Sequence, residues 1–199
     1  QNFNGDALNT AVGYFAGKAT TTGTHNTLMG GLSGQSLTEG NFNVAFGHGT
    51  LSAETLGDRN VAIGVNALNA QNNTSDVDAY NVAIGFQAGT LITTGTLNTL
   101  VGGAAGDALT IGQFNTALGF NALGTSVDGD HNTAIGYQAL FQYEEGDGNG
   151  HNTAVGSQSQ QNSTTGEFNT SLGSLSMGAG QTTGDANVAL GYKAGQALT

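Results

Sequence analysis

Cysteine, proline and tryptophan are absent from this chain, and only three of its 199 residues are basic. The missing cysteine removes disulfides and thiolate metal sites. With fourteen acidic residues against three basic ones the net charge is −11, so no phosphate-neutralising surface can be assembled and nucleic acid is excluded as a partner. No apolar stretch approaches the roughly 20 residues of a membrane span, and no charged-then-apolar signal opens the chain, so membrane insertion by this segment is not expected. Collagen's strict third-residue glycine is missing as well, although there are 34 glycines. What is present is order: Val, Ile and Leu recur at regular spacing, which separates the chain from a disordered Asn/Thr/Gly/Ala tract.

The order is an internal repeat. A segment of the form N-[TV]-x-x-G begins at Asn9, Asn26, Asn43, Asn60, Asn81, Asn98, Asn115, Asn132, Asn152, Asn169 and Asn187. The intervals are 17, 17, 17, 21, 17, 17, 17, 20, 17 and 18 residues, and the longer ones gain their length between motifs. A period of this length over a whole chain is the mark of a solenoid. Residues 1–199 therefore read as a single repeat domain.

Each column of the repeat states a physical demand. Four residues after the Asn there is always Gly, so a side chain is forbidden there. Just before that Gly stands a large apolar residue (Val12, Phe46, Ile84, Leu118, Leu172 among them), read as a buried stacking column. Seven after the Asn only Ala, Ser or Thr occurs, so room is short. Directly after the Asn comes β-branched Thr or Val, which suits a short strand. That strand is non-polar on both faces, and a strand of this kind needs cover on both. The solenoid interior supplies one cover; a partner surface must supply the other.

The remaining half of each repeat, such as residues 52–59 (SAETLGDR) or 161–168 (QNSTTGEF), is polar and holds the acidic residues. It reads as an outer strand and turn. Gly23, Gly40, Gly57, Gly95, Gly112, Gly129, Gly166 and Gly184, three residues before a motif Asn, are read as positive-φ turn residues. Two strands and two turns per coil are expected, with the Asn amides aligned as a ladder. At about 4.8 Å per coil the result is a rod on the order of 50 Å long.

The segments GDHNTAIGYQAL (129–140), DRNVAIGVNAL (58–68) and NTAVGYFAG (9–17) resemble the head repeats of YadA-like trimeric autotransporter adhesins, and equally the longer repeats of bacteriophage tail fibres. The resemblance covers nearly the whole chain. It implies an all-β, left-handed parallel β-roll assembled as a homotrimer, with strands packed around a common axis, and a virion or cell-surface location. The 17-residue unit is longer than a typical YadA-like one and favours the phage relatives. No coiled-coil stalk, membrane-anchor barrel or autocleaving chaperone pattern stands in these residues.

Chemistry is sparse. His25, His131 and His151 share the column before the motif Asn with Phe42, Phe114 and Phe168, which points to packing rather than metal ligation. Asp128 and Asp130, or Asp147, suggest Ca²⁺ turns, but they do not recur in every coil as a calcium repeat requires. No catalytic constellation emerges, and neither an enzyme nor a cofactor is expected. The long intervals make residues 69–80 and 140–151 the most protruding loops, and loops on rigid scaffolds commonly carry recognition. Asn72, Asn73, Asp76, Asp78, Tyr80, Tyr143, Glu144, Glu145 and Asp147 are the candidate binding residues for a host receptor or glycan. A passive spacer is the rival reading. Ice binding through Thr columns is a more remote one, since Glu54, Glu144 and Leu37 interrupt them.

Overall fold

The computed structural model describes residues 7–143 and 150–198. The described residues form an all-β parallel solenoid, with no helix among them. Every motif contributes one three-residue strand: β1 (Thr10–Val12), β2 (Thr27–Met29), β3 (Val44–Phe46), β5 (Val61–Ile63), β7 (Val82–Ile84), β8 (Thr99–Val101), β9 (Thr116–Leu118), β10 (Thr133–Ile135), β11 (Thr153–Val155), β12 (Thr170–Leu172) and β13 (Val188–Leu190). They form one eleven-stranded parallel sheet in chain order. Each motif pairs with its own equivalent, and the long intervals do not disturb this: Val61 lies beside Val82 and Thr133 beside Thr153.

Only one strand per coil belongs to this sheet, fewer than the two expected. The polar half closes through turns and isolated cross-coil bonds, such as Thr93 N–H to Thr110 O at 2.8 Å. Among the described residues a second ladder forms only at β4 (Gly57–Asp58) and β6 (Val77–Asp78), where the first long interval folds back alongside the preceding coil.

Side-chain alternation sets the inside and outside, and it reverses the expected burial of the large apolar column. The middle residue of each strand points inward: Ala45, Ala62, Ala83, Leu100 and Ala117 are fully buried. The residues on either side of it must then point outward. Phe46, Leu118 and Leu172 are accordingly 52, 47 and 49% exposed. The bulk on this strand faces solvent because the interior is narrow and already filled.

What fills it is a complementary set of columns. In most coils the inward strand position and the position six residues later exchange volume: Leu28 stands with Gly34 and Leu100 with Gly106, whereas Ala45, Ala62, Ala117 and Ala134 stand with Leu51, Leu68, Leu123 and Leu140. Where both are small, as at Ala83 and Gly89, Leu68, Ile92 and Leu100 reach into the space. A Cβ on Gly34 would come within 2.8 Å of Leu28, so the smaller residue is what admits the larger. The small column, including Ala67, Ala88 and Ala105, is buried as its composition demanded. Eleven residues after the Asn lies a further inward column, within the half that had read as an outer strand. It holds Leu37, Glu54, Gln71, Ile92, Leu109, Ser126, Tyr143 and Ser163, all buried, with bulky Tyr143 between two serines.

Backbone handedness selects residue types at three further columns. The residues before the Asn, six after it and eight after it all have φ between 47° and 66°. No Val, Ile or Thr occupies any of these positions, in keeping with the severe strain of β-branched side chains at positive φ. The invariant glycines have φ of 120–144°, and in ten of the eleven a Cβ would lie 2.3–2.7 Å from the carbonyl oxygen of the equivalent glycine one coil on. By contrast, the glycines three residues before the Asn do not adopt positive φ. They are small for another reason: Cβ atoms on Gly23, Gly40, Gly95, Gly112 and Gly166 would stand 2.5–2.6 Å from the next coil's carbonyl.

The Asn ladder is real but is mainly a side-chain-to-backbone ladder. In all ten steps the backbone N–H of one motif Asn donates to Oδ1 of the preceding one, at 2.7–3.2 Å. Nδ2 donates to the carbonyl of the glycine fourteen or fifteen residues later at Asn9, Asn26, Asn43, Asn81, Asn98, Asn115, Asn152 and Asn169, at 2.7–2.9 Å. Direct amide-to-amide bonds occur at Asn60, Asn115 and Asn187. Eight of the side chains, from Asn9 to Asn169, thus satisfy the backbone on both sides of a corner of the coil, as buried backbone groups require.

Candidate functional site

Two surfaces stand out. The first is the outward face of the eleven-stranded sheet. Thr or Val, then a large apolar residue, then frequently an aromatic one (Tyr14, Phe86, Phe120, Tyr137, Tyr192) project from it on alternate positions through the whole stack. Where the aromatic column holds Gly103, the ring of Phe120 leans across the gap; a Cβ there would be 3.3 Å from it. His48 belongs to this face and is exposed. The strip is roughly 50 Å by 13 Å from strand spacing and rise, or roughly 650 Å². That is slightly above the range of about 300–600 Å² for the largest apolar patch on a typical monomer.

Beside this face runs a stack of rings from the column before the motif Asn. Phe114, His131, His151 and Phe168 lie nearly parallel, with centroids 4.7, 4.6 and 5.1 Å apart. His25 stacks likewise on Phe42 at 4.8 Å. The histidines therefore pack as their column mates do. Among the described residues no three His, Cys, Asp or Glu side chains converge as a ligand set.

The second surface is the first insertion, residues 69–80. Its feet are fixed. Asn73 N–H and Nδ2–H donate to the carboxyl of Glu54, and Val77–Asp78 pairs with Gly57–Asp58. At its return, Asp78 bonds to Arg59, the chain's single arginine, and accepts the Tyr80 hydroxyl at 3.4 Å. The guanidinium lies between the rings of Phe42 and Tyr80, at 5.2 and 5.7 Å from their centroids, and 3.7 Å from the carboxylate of Asp58. The opposite oxygen of Asp58 accepts Asn41 N–H at 2.6 Å. An arginine held by aromatic faces and two carboxylates is a rigid polar shelf, worth more as geometry than as charge.

Of the candidate binding residues, Asn72, Asp76, Asp78 and Tyr80 are exposed on or beside this insertion. Asn72 accepts the Thr55 hydroxyl at 3.0 Å. Asn73 and Tyr143 do not protrude: Asn73 turns inward onto Glu54, and Tyr143 is the largest fully buried side chain of the core. The first insertion leaves the coil only after Asn73 has turned inward. Glu144, Glu145 and Asp147 lie outside the described residues. Near that second insertion an open cleft of about 520 Å³ is lined by Thr125, Gln142, Thr164 and Thr165, with no titratable group among them.

Arg59, Asp58 and Phe42 are members of the shelf that sequence reasoning missed. The available signal was that a lone arginine interrupts a mostly aromatic column immediately before the longest interval. The Thr column twelve residues after the Asn also forms. Its hydroxyls at Thr21, Thr38, Thr93 and Thr110 are turned along the rod, each donating to the next coil's carbonyl at 3.1–3.2 Å. No protein-family model, curated protein or solved structure matches the chain.

Proposed function

We propose that this chain is a rod segment of a homotrimeric surface fibre, built as a left-handed β-roll, which holds loops rigidly for attachment to a host receptor or glycan. A phage tail fibre is the favoured setting, and the head of a trimeric bacterial adhesin the alternative. The supporting observation is the outward apolar face. A ladder of side chains that repeats every coil over eleven coils is covered without gaps only by a surface with the same repeat, and a copy of the same chain has it. Threefold rather than twofold assembly rests on the resemblance to YadA-like heads and phage fibres. The shelf at Arg59, Asp78 and Tyr80, with Asp76 and Asn72 beside it, is the proposed contact for host glycan or receptor. Polar groups beside exposed rings, fixed in place, suit that role.

Sedimentation equilibrium tests the assembly. The wild-type segment should give three chain masses, and Ile84→Glu with Leu118→Glu should give one while the β circular dichroism persists. A monomeric wild type sinks the trimer. Binding of the segment to host cells tests the attachment: Asp78→Ala with Tyr80→Ala should weaken it at least tenfold. Undiminished binding removes the shelf from the contact, and absence of any binding leaves a spacer.

A further inference from the structure

The first insertion is fastened to the core by a buried carboxylate that also closes its own turn. Glu54 is completely buried, in the inward column where Leu37, Ile92 and Leu109 serve other coils. Five donors converge on it. Backbone N–H groups of Thr55, Leu56, Gly57 and Asn73 donate to Oε1 at 2.9, 3.1, 2.8 and 3.1 Å, and Asn73 Nδ2 donates to Oε2 at 2.8 Å. No cationic side chain is paired with it among the described residues. Burying a carboxylate without a counter-charge is costly, and breaking its bonds more so. Leucine at the same place would carry no charge, but it would leave the N–H groups of Thr55, Leu56 and Gly57 without the acceptor that their equivalents Thr38, Glu39 and Gly40 find in the Thr55 carbonyl.

The surroundings are shaped to this bond. In neighbouring coils the glycine before the motif lies against the next coil's carbonyl. At Gly57 a Cβ would instead meet Asn73 Nδ2 at 2.6 Å and Glu54 Oε2 at 2.7 Å. Gly57 is small so that insertion and carboxylate can meet. The same residue begins the short ladder that receives Val77–Asp78.

We infer that Glu54 is a positioning residue: its carboxylate clamps the start of the insertion at Asn73 so that Thr74 to Asp78 is displayed in one conformation. A loop tethered only at its return would sample many conformers, and a binding partner would have to select one of them. The use of that order in recognition rests on the attachment role proposed above; the clamp itself does not.

Amide hydrogen exchange on the full chain reads the clamp directly. In Glu54→Leu, exchange at Asn73 to Asp78 should rise at least tenfold, while the sheet amides of Thr99 and Gly102 stay within twofold of wild type. The double variant Glu54→Gln with Asn73→Asp reverses donor and acceptor across the contact and should restore protection. Asn73→Ala, which removes one bond and leaves the core column intact, should show a smaller local rise and serves if Glu54→Leu does not fold. Unchanged protection in the single variants, or an equal rise along the whole rod, overturns the clamp. Neither result bears on whether Asp78 and Tyr80 contact a host, which the cell-binding variants decide separately.

Discussion

The side chain of Leu100 occupies the space that Gly106 leaves open: a Cβ on Gly106 would stand 2.9 Å from Leu100 Cδ2. Two coils, at Leu28 and Leu100, place the bulk on the strand, and six place it six residues later, at Leu51, Leu68, Leu123, Leu140, Gln160 and Met177, so the interior volume of these coils is filled from either side. Leu100→Ala should cost about 2–5 kcal/mol, the range for emptying a core leucine site. Gly106→Leu alone overfills the coil and should also destabilise it. Together they reproduce the arrangement of Ala117 with Leu123 and should recover most of the loss. Urea midpoints of the three variants check this, and a double variant no better than the worse single one would break the volume-exchange account.

Asn98 satisfies the corner between two coils. Its Oδ1 accepts the Asn115 N–H at 3.0 Å and its Nδ2 donates to the Gly112 carbonyl at 2.8 Å. Asn98→Ala leaves both groups buried and unpaired, at about 1–3 kcal/mol for each. The expected signature is local as well as global. Exchange of the Asn115 amide should accelerate more than that of Thr116, which keeps its 2.8 Å bond to the Asn132 carbonyl. Equal acceleration at the two amides would mean that the side chain is not a specific tie.

The register, the invariant glycine and the small column were legible because each answers to one local constraint that repeats eleven times. Inside and outside were not. Phe46 and Leu118 look like core by hydrophobicity, and Ala45 and Ala117 do not, yet the narrow coil takes the alanines and leaves the larger residues for a surface that a single chain cannot cover. The clue lay in pairs rather than in columns: Leu28 with Gly34 and Leu100 with Gly106 vary together. Glu54 was hidden differently. Its column holds Leu37, Gln71 and Tyr143 in other coils, so composition does not mark it as inward. Asp78 and Tyr80 could be picked out by their place in a long interval. Arg59 stood out as the lone arginine of its column, but its pairing with them did not, because the insertion must fold back before the two sides of the shelf meet.

Two reasons for an invariant glycine can be separated at Gly102 and Gly191. Gly102 has φ of +140° and a Cβ there would lie 2.4 Å from the Gly119 carbonyl oxygen; Gly191 has φ of +120° and nothing within 4 Å. Gly191→Ala should therefore cost only the backbone strain, about 1–3 kcal/mol. Gly102→Ala adds a backbone clash that no side-chain rotation relieves, and should cost clearly more. Chemical denaturation of the two variants checks the order; equal losses would mean that φ alone keeps this column free of side chains.

Burial pushes the carboxyl of Asp107 above the usual aspartate value, against the N–H groups of Asp107 and Ala108, which act to lower it. With a higher value folded than unfolded, the native state holds its proton over a window in which the unfolded chain has lost it. The linked stability is therefore complete below the unfolded value and is lost as the pH rises through the folded one. At neutral pH the charged carboxylate works against the fold. Four of its equivalents, Gln35, Ser52, Asn69 and Thr90, are polar and uncharged, and one is asparagine itself, so asparagine suits the position. Asp107→Asn should raise the Tm at pH 7, and the gain should shrink on acidification and vanish below the ordinary value of 3.8. Thermal melts of variant and wild type across that range check the sign, and a gain that is the same at both ends would place the effect outside the carboxylate's charge.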